Sequence, residues 1–156
     1  MKQNPLFSEP PPPSSPSQIF TAYIDGGARG NPGPAAYGVV VRNPEGKILA
    51  ELGKYLGSQT NNFAEYSGLV AALEYAQKQQ LTALKIFSDS ELLVKQMNGL
   101  YKVNHPVLKK LVDRARELSR QLQHFSIHHV LRRYNRDADQ LVNQVLDAQE
   151  RQAKTK

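Results

Sequence analysis

Four carboxylates occupy places from which acids can act: Asp25, Glu65, Asp89 and Asp139. Asp25 opens the glycine-rich run DGGARGNPGPAAYG (25–38), and Glu65 lies in TNNFAEY (60–66). Asp89 follows Ile86-Phe87-Ser88, and Asp139 stands in RDADQ (136–140). Each has a structural explanation when taken singly. An acid between an apolar strand and glycines is turn chemistry. Glu65, placed after Asn62, completes a capping box at the head of a helix. Asp89, just ahead of a helix, suits the free N–H groups there, and Asp139 falls in a first helical turn, where acids are favoured. Taken together they put acids at the ends of two strands and the starts of two helices. The carboxyl ends of parallel strands are where open α/β sheets build sites. If those two strands are adjacent and parallel, Asp25 and Asp89 end side by side. Clustered carboxylates repel, so such a group needs protons or hard cations. With no cysteine in the chain and no histidine cluster among these motifs, Mg²⁺ or Mn²⁺ is the natural partner.

The elements that must position these acids are legible from periodicity and turn residues. Ile19–Asp25, Ala36–Arg42 and Lys47–Leu56 read as strands, the last two joined through Asn43-Pro44-Glu45-Gly46, and should form an antiparallel meander. A helix is expected over Phe63–Gln80, with Tyr66, Leu69, Val70, Leu73 and Ala76 at helical spacing. Ala83–Ser88 reads as a strand, and Glu91–Met97 as a short helix stopped by Asn98-Gly99. A longer helix is expected over Pro106–Gln123, then a strand over Ser126–Leu131 and a last helix over Asp137–Gln149. Three meander strands followed by strand–helix alternation define a mixed α/β sheet with helices packed on it.

Composition bounds the function. The chain has 156 residues, a net charge of +6 and no cysteine, which excludes a disulfide framework or a thiolate metal site. No apolar run approaches membrane-spanning length, so no membrane role is expected. The absence of cysteine suits a cytoplasmic location. A basic surplus favours a polyanionic partner, because neutralising phosphates releases counterions. Residues 1–18 hold six of the ten prolines and four serines, and read as a disordered tether. The folded domain is expected over 19–150, with a basic tail at 151–156.

DGGARGNPGPAAYG, TNNFAEY, FSDSELLVKQMNG (87–99) and RRYNRDADQLVNQVLD (132–147) resemble, in order, the four motifs of type 1 ribonucleases H. The short last motif is most similar to a bacterial and archaeal subgroup without a basic protrusion. The resemblance implies the ribonuclease H-like fold: a five-stranded mixed sheet in order 3-2-1-4-5, strand two antiparallel. It implies an endoribonuclease that cuts the RNA strand of an RNA–DNA hybrid with two Mg²⁺ or Mn²⁺ ions, leaving 5′-phosphate and 3′-hydroxyl ends, and acting as a monomer. Asp25 would then bridge both ions, Glu65 and Asp89 would hold the ion on the leaving-group side, and Asp139 the ion beside the attacking water. Asn31 and Asn61 would face the minor groove, backbone groups around Gly30 the 2′-hydroxyls, and Thr60 and Asn62 the DNA-strand phosphates.

Three features depart from the family pattern. The histidine that many relatives carry before the last acid, associated with product release, is missing; Arg133 or Arg136 stands as a replacement. Glu91 occupies a place often filled by Gln, where its charge would weaken binding, turn aside or assist the metals. Only MNGLYKVNHP (97–106) stands where some relatives have a basic, aromatic protrusion. The helix from Pro106 carries Lys109, Lys110, Arg114, Arg116 and Arg120, either as a solvated face or as a phosphate track. His128 and His129 are neighbours on a strand, point to opposite faces and read as structural. Two other functions remain open: a non-catalytic nucleic-acid-binding module on this fold, and a nuclease preferring RNA–DNA junctions or double-stranded RNA.

Overall fold

Alternating apolar residues in Phe20–Ala28 (β1) put Ala22 and Ile24 on one face of the chain and Thr21, Tyr23 and Asp25 on the other. The computed structural model describes residues 18–155, and the tether assigned to 1–18 lies outside them except for its last residue. After β1 come β2 (Gly33–Arg42), β3 (Ile48–Gln59), α1 (Asn61–Lys78), β4 (Ala83–Ser88), α2 (Glu91–Met97), α3 (Pro106–Ser119), β5 (His124–His129) and α4 (Arg136–Lys154). A 3-10 turn at Arg132–Tyr134 precedes α4. The strands form one sheet in the order β3-β2-β1-β4-β5. β2 runs antiparallel to β1 and β3, while β1, β4 and β5 are parallel, as the motifs imply.

The main core lies between one sheet face and α1, α2 and α3. Ala22, Ile24, Val39, Val41, Leu84, Ile86 and Ile127 meet Leu69, Leu73, Leu93, Val112 and Leu118 there, all nearly inaccessible to water. On the other face α4 lays Val142 and Leu146 over Ala36, beside Tyr55. It crosses β1, β2 and β3.

The largest departure from expectation concerns β1. Asp25 does not end the strand, which continues to Ala28 paired with β2 alone, while pairing with β4 stops at Ile24 opposite Ser88. The strand runs on because β2 keeps pairing with it, and the glycine at 26 allows a helix close to its backbone. A Cβ on Gly26 would lie 2.3 Å from the Ala64 carbonyl carbon, so α1 sits against bare main chain there. Gly38, opposite Asp25 on β2, does the same for α4: a Cβ would lie 2.6 Å from the Ala138 carbonyl oxygen. The two helices seated on these glycines carry Glu65 and Asp139. Gly26→Ala should therefore push α1 off the sheet and destabilise the fold by about 3 kcal/mol, the upper range for overpacking. Thermal unfolding of the variant should show a Tm lower by ~10 °C, and an unchanged Tm would mean that α1 is not seated by this contact.

Other boundaries moved for local reasons. The cap of α1 is Thr60, whose Oγ1 accepts from the Phe63 N–H (3.1 Å), not Asn62. Glu65 therefore lies beyond the first turn and has no capping role. Ser90, not Asp89, caps α2, with Oγ accepting from the Leu93 N–H at 3.2 Å. α3 ends at Ser119 and residues 120–123 are turn, and β5 begins at His124, because register with Ala83 sets its start. α4 runs to Lys154, beyond the expected Gln149, so most of the basic C-terminal segment is helical.

Candidate active site

The fold brings the acids of four elements to one cleft. Asp25 on β1, Glu65 on α1, Asp89 after β4 and Asp139 on α4 line it together with Gly26, Arg29, Asn61, Asn62, Arg132 and Asn143. Carboxylate oxygens of Asp25, Glu65 and Asp89 all lie within 4.8 Å of one another. Asp139 stands outside that trio, yet its carboxyl lies within hydrogen-bonding reach of Asp25. Asp25 is thus the centre, with Glu65 and Asp89 to one side and Asp139 to the other.

The electrostatics are those of acids held together against their charge. Burial, then the charges of Asp89 and Asp139, push the Asp25 carboxyl up to about 8 from its ordinary 3.8. Burial, then Asp89, push Glu65 up to about 7, while a hydrogen bond with Ser90 and the charge of Arg132 pull it back. Half-buried carboxylates with no thiol or imidazole among them form a hard-oxygen donor set, and Asp25, Glu65 and Asp89 lie close enough to hold a metal ion.

These shifts fix the sign of a pH dependence. Between about pH 4 and 8 the unfolded chain has lost protons that Asp25 and Glu65 retain in the fold. The native state binds more protons, so its stability falls as pH rises through that window. Metal-free protein should therefore show a falling contribution to Tm from pH 5 to 8, which Asp25→Asn should flatten. Identical pH profiles for the two proteins would contradict this account.

Side chains around the acids hold the cleft in place. Asn135, 1% exposed, stands at the N-terminus of α4, where an asparagine usually caps the helix. Its amide instead donates to the Ile24 carbonyl (2.8 Å) and to Asp89 Oδ2 (3.3 Å), fixing Asp89 against β1. Asn61 Oδ1 accepts from the Ala28 N–H at 2.7 Å, and the Asn61 N–H donates to Asn31 Oδ1 at 3.1 Å. The loop after β1 is thereby tied to the head of α1. Gly30 is at the tip of that loop with φ +96°. Arg29 lines the cleft but spends its charge on Asp147 (2.8 Å) and Glu150 (2.7 Å) of α4. Asn31, Thr60 and Asn62 continue into a neighbouring groove with Phe63 and His105.

Several sequence expectations resolve here. Glu91 turns to Lys95 (3.3 Å) and does not join the acids. Arg132, not Arg133 or Arg136, lines the acid cleft, a placement set by the 3-10 turn that no periodicity announces. The basic helix is partly neutralised: Lys109 pairs with Asp113, and Arg114 with Glu117 and with Glu74 of α1. Lys110, Arg116 and Arg120 have no ion-pair partner among the described residues, and Arg116 donates to the Gln96 carbonyl instead. Among the described residues no helix is long and apolar enough to cross a membrane.

Fold and cleft have close counterparts among known proteins. The family model described as "Reverse transcriptase-like" matches residues 23–145. Ribonuclease HI of Halobacterium salinarum is 46% identical over 126 residues, covering 81% of this chain and 63% of that protein. The N-terminal RNase H domain of a Mycobacterium tuberculosis protein superimposes with a TM-score of 0.83 at 43% identity, covering 88% of this chain and 99% of that one. LC11-RNase H1, solved in complex with an RNA/DNA hybrid, gives a TM-score of 0.78 at 40% identity, covering 83% and 97%. The chain belongs to the ribonuclease H family, with type 1 enzymes as its relatives. It spans under two thirds of the length of the curated relatives it matches first, 63% of the halobacterial protein and 34% of the full mycobacterial one.

Proposed function

We propose that this chain is an endoribonuclease that hydrolyses the RNA strand of RNA–DNA hybrids. The observation that carries the reading is the convergence of Asp25, Glu65, Asp89 and Asp139, from four separate elements, on one cleft. The hybrid bound by LC11-RNase H1 supports the substrate class.

Asp25, Glu65 and Asp89 would hold one divalent cation, and Asp25 with Asp139 a second. Cations bound there lower the pKa of water and neutralise charge developing on a phosphoryl group. The remaining work falls to the chain. Asp25 serves both halves of the site, which explains its central place. Asn135 holds one Asp89 oxygen and leaves the other free, and Ser90 orients Glu65. Water adds to phosphorus, the bond to the 3′-oxygen breaks, and a 5′-phosphate and a 3′-hydroxyl result.

Recognition of RNA requires contact with the 2′-hydroxyl. Backbone groups around Gly30 would read it, with Asn31 and Asn61, tied together beside the acids, facing the minor groove. Thr60 and Asn62 line the adjoining groove, which suits contacts to the DNA-strand phosphates. The deciding experiment compares cleavage of a hybrid, duplex RNA, duplex DNA, an RNA–DNA junction and single strands with Mg²⁺, Mn²⁺ or a chelator. Metal-dependent cutting of the hybrid alone is expected. Preference for junctions or duplex RNA, or binding without turnover, would replace this reading.

A further inference from the structure

The sheet face that α4 leaves uncovered carries a row of rings. Tyr23, Phe87 and His128 are register partners across β1, β4 and β5. Tyr23 and Phe87 stack with centroids 4.9 Å apart, and the His128 ring lies 5.6 Å from Phe87. Tyr23 and Phe87 are only half buried, and His128 is exposed. α4 covers β1 to β3 of this face, whereas α2 and α3 belong to the opposite core. The next row of the same face is Thr21, Lys85 and Ser126.

At the β1–β2 side the row runs into a pocket floored by Tyr23 and Val40, with Arg42, Arg133, Tyr134 and Arg136 around it. Tyr134 is 63% exposed, and the Arg133 guanidinium lies 5.0 Å from its ring centre. Arg42 is neutralised by Asp137 at 2.7 Å. Lys85, Arg133 and Arg136 have no ion-pair partner among the described residues. The surface is therefore aromatic and net positive.

Half-exposed rings on a sheet, flanked by cations unneutralised by protein, match the chemistry of an unpaired nucleic-acid strand. Bases stack on the rings, whatever their sequence, and phosphates meet the charges. Tyr23 shares its strand face with Asp25, about 7 Å further along, and Asp89 follows the end of β4 two residues after Phe87. The row is thus continuous with the acid cleft. We propose that this face binds a single strand of nucleic acid, and that in the proposed nuclease it holds the unpaired strand running off a hybrid. The second clause rests on the proposed function; the binding itself does not.

The test uses the full chain in chelator, so that nothing is cut. Anisotropy of labelled 15-nucleotide oligo-U and oligo-dT is measured for wild type, Phe87→Leu, which keeps apolar packing, and His128→Ala. Each variant should bind both oligomers at least ~5-fold more weakly, in line with the loss of one stacked base, with wild-type Tm. An abasic oligomer of equal charge should bind weakly and equally to all three proteins. Binding and cutting of a blunt hybrid should stay within two-fold of wild type, whereas a hybrid with a single-stranded overhang should lose affinity. Unchanged oligomer affinity in both variants would overturn the proposal. An equal loss for blunt hybrid would overturn it too, by assigning the face to the duplex channel. Failure of hybrid cleavage by wild type, with oligomer binding intact, would remove the nuclease reading and leave the face standing.

Discussion

Asp25→Asn is expected to lower hybrid cleavage by at least ~10³-fold, the scale of losing a central electrostatic group, while raising the stability of the metal-free protein. The two effects have one origin. Asp25 belongs to the close trio with Glu65 and Asp89 and also interacts with Asp139, so it is the acid that links Asp139 to the other two. Its neutral replacement leaves the shape of the cleft unchanged and removes the charge that both halves of the site share. The same change relieves repulsion in a partly buried cluster, for a gain of about 1–2 kcal/mol after solvent screening, visible above pH 8 and vanishing near pH 4. Single-turnover cleavage and thermal melts in chelator measure the pair. Residual activity within ten-fold of wild type would place the chemistry elsewhere.

Replacing ribose by 2′-deoxyribose beside the scissile phosphate should reduce cutting there at least ~100-fold, since a site built to pair with a hydroxyl discriminates strongly against its loss. Binding should weaken far less, because all phosphate charges remain. Thr60 and Asn62 in the adjoining groove and Lys110 on α3 would still meet them. Affinity should decline with salt for substituted and unsubstituted hybrids at the same slope. Asn61→Ala should narrow the difference between hybrid and duplex DNA, although part of its effect will come from releasing the Ala28 N–H. Equal cutting of DNA–DNA and RNA–DNA duplexes by the wild-type protein would make it a general nuclease.

The sequence made the sheet and the four acids legible because both leave periodic or punctuated signals. Apolar alternation marked the strands, and each acid stood beside a strand end or helix start. What escaped lacks such signals. That Asp25 lies within a strand depends on pairing with β2 beyond the last β4 partner, a tertiary fact. Thr60 rather than Asn62 caps α1 because β3 reaches Gln59, and both residues are good caps in isolation. Asn135 looks like an ordinary cap and in fact braces Asp89. Arg132 could be singled out from Arg133 and Arg136 only by the hand of a short 3-10 turn. Lys109 and Arg114 looked available for phosphates until helix packing and spacing gave them acids.

The stitched loop after β1 has a thermodynamic consequence. Ala28, Asn31 and Asn61 are bonded to one another before any polymer arrives. Freezing a free loop costs about 1–2 kcal/mol per residue in backbone entropy, and here folding has already met that cost. Association with a nucleic acid at this edge should then carry a smaller entropy loss than docking on a mobile loop would.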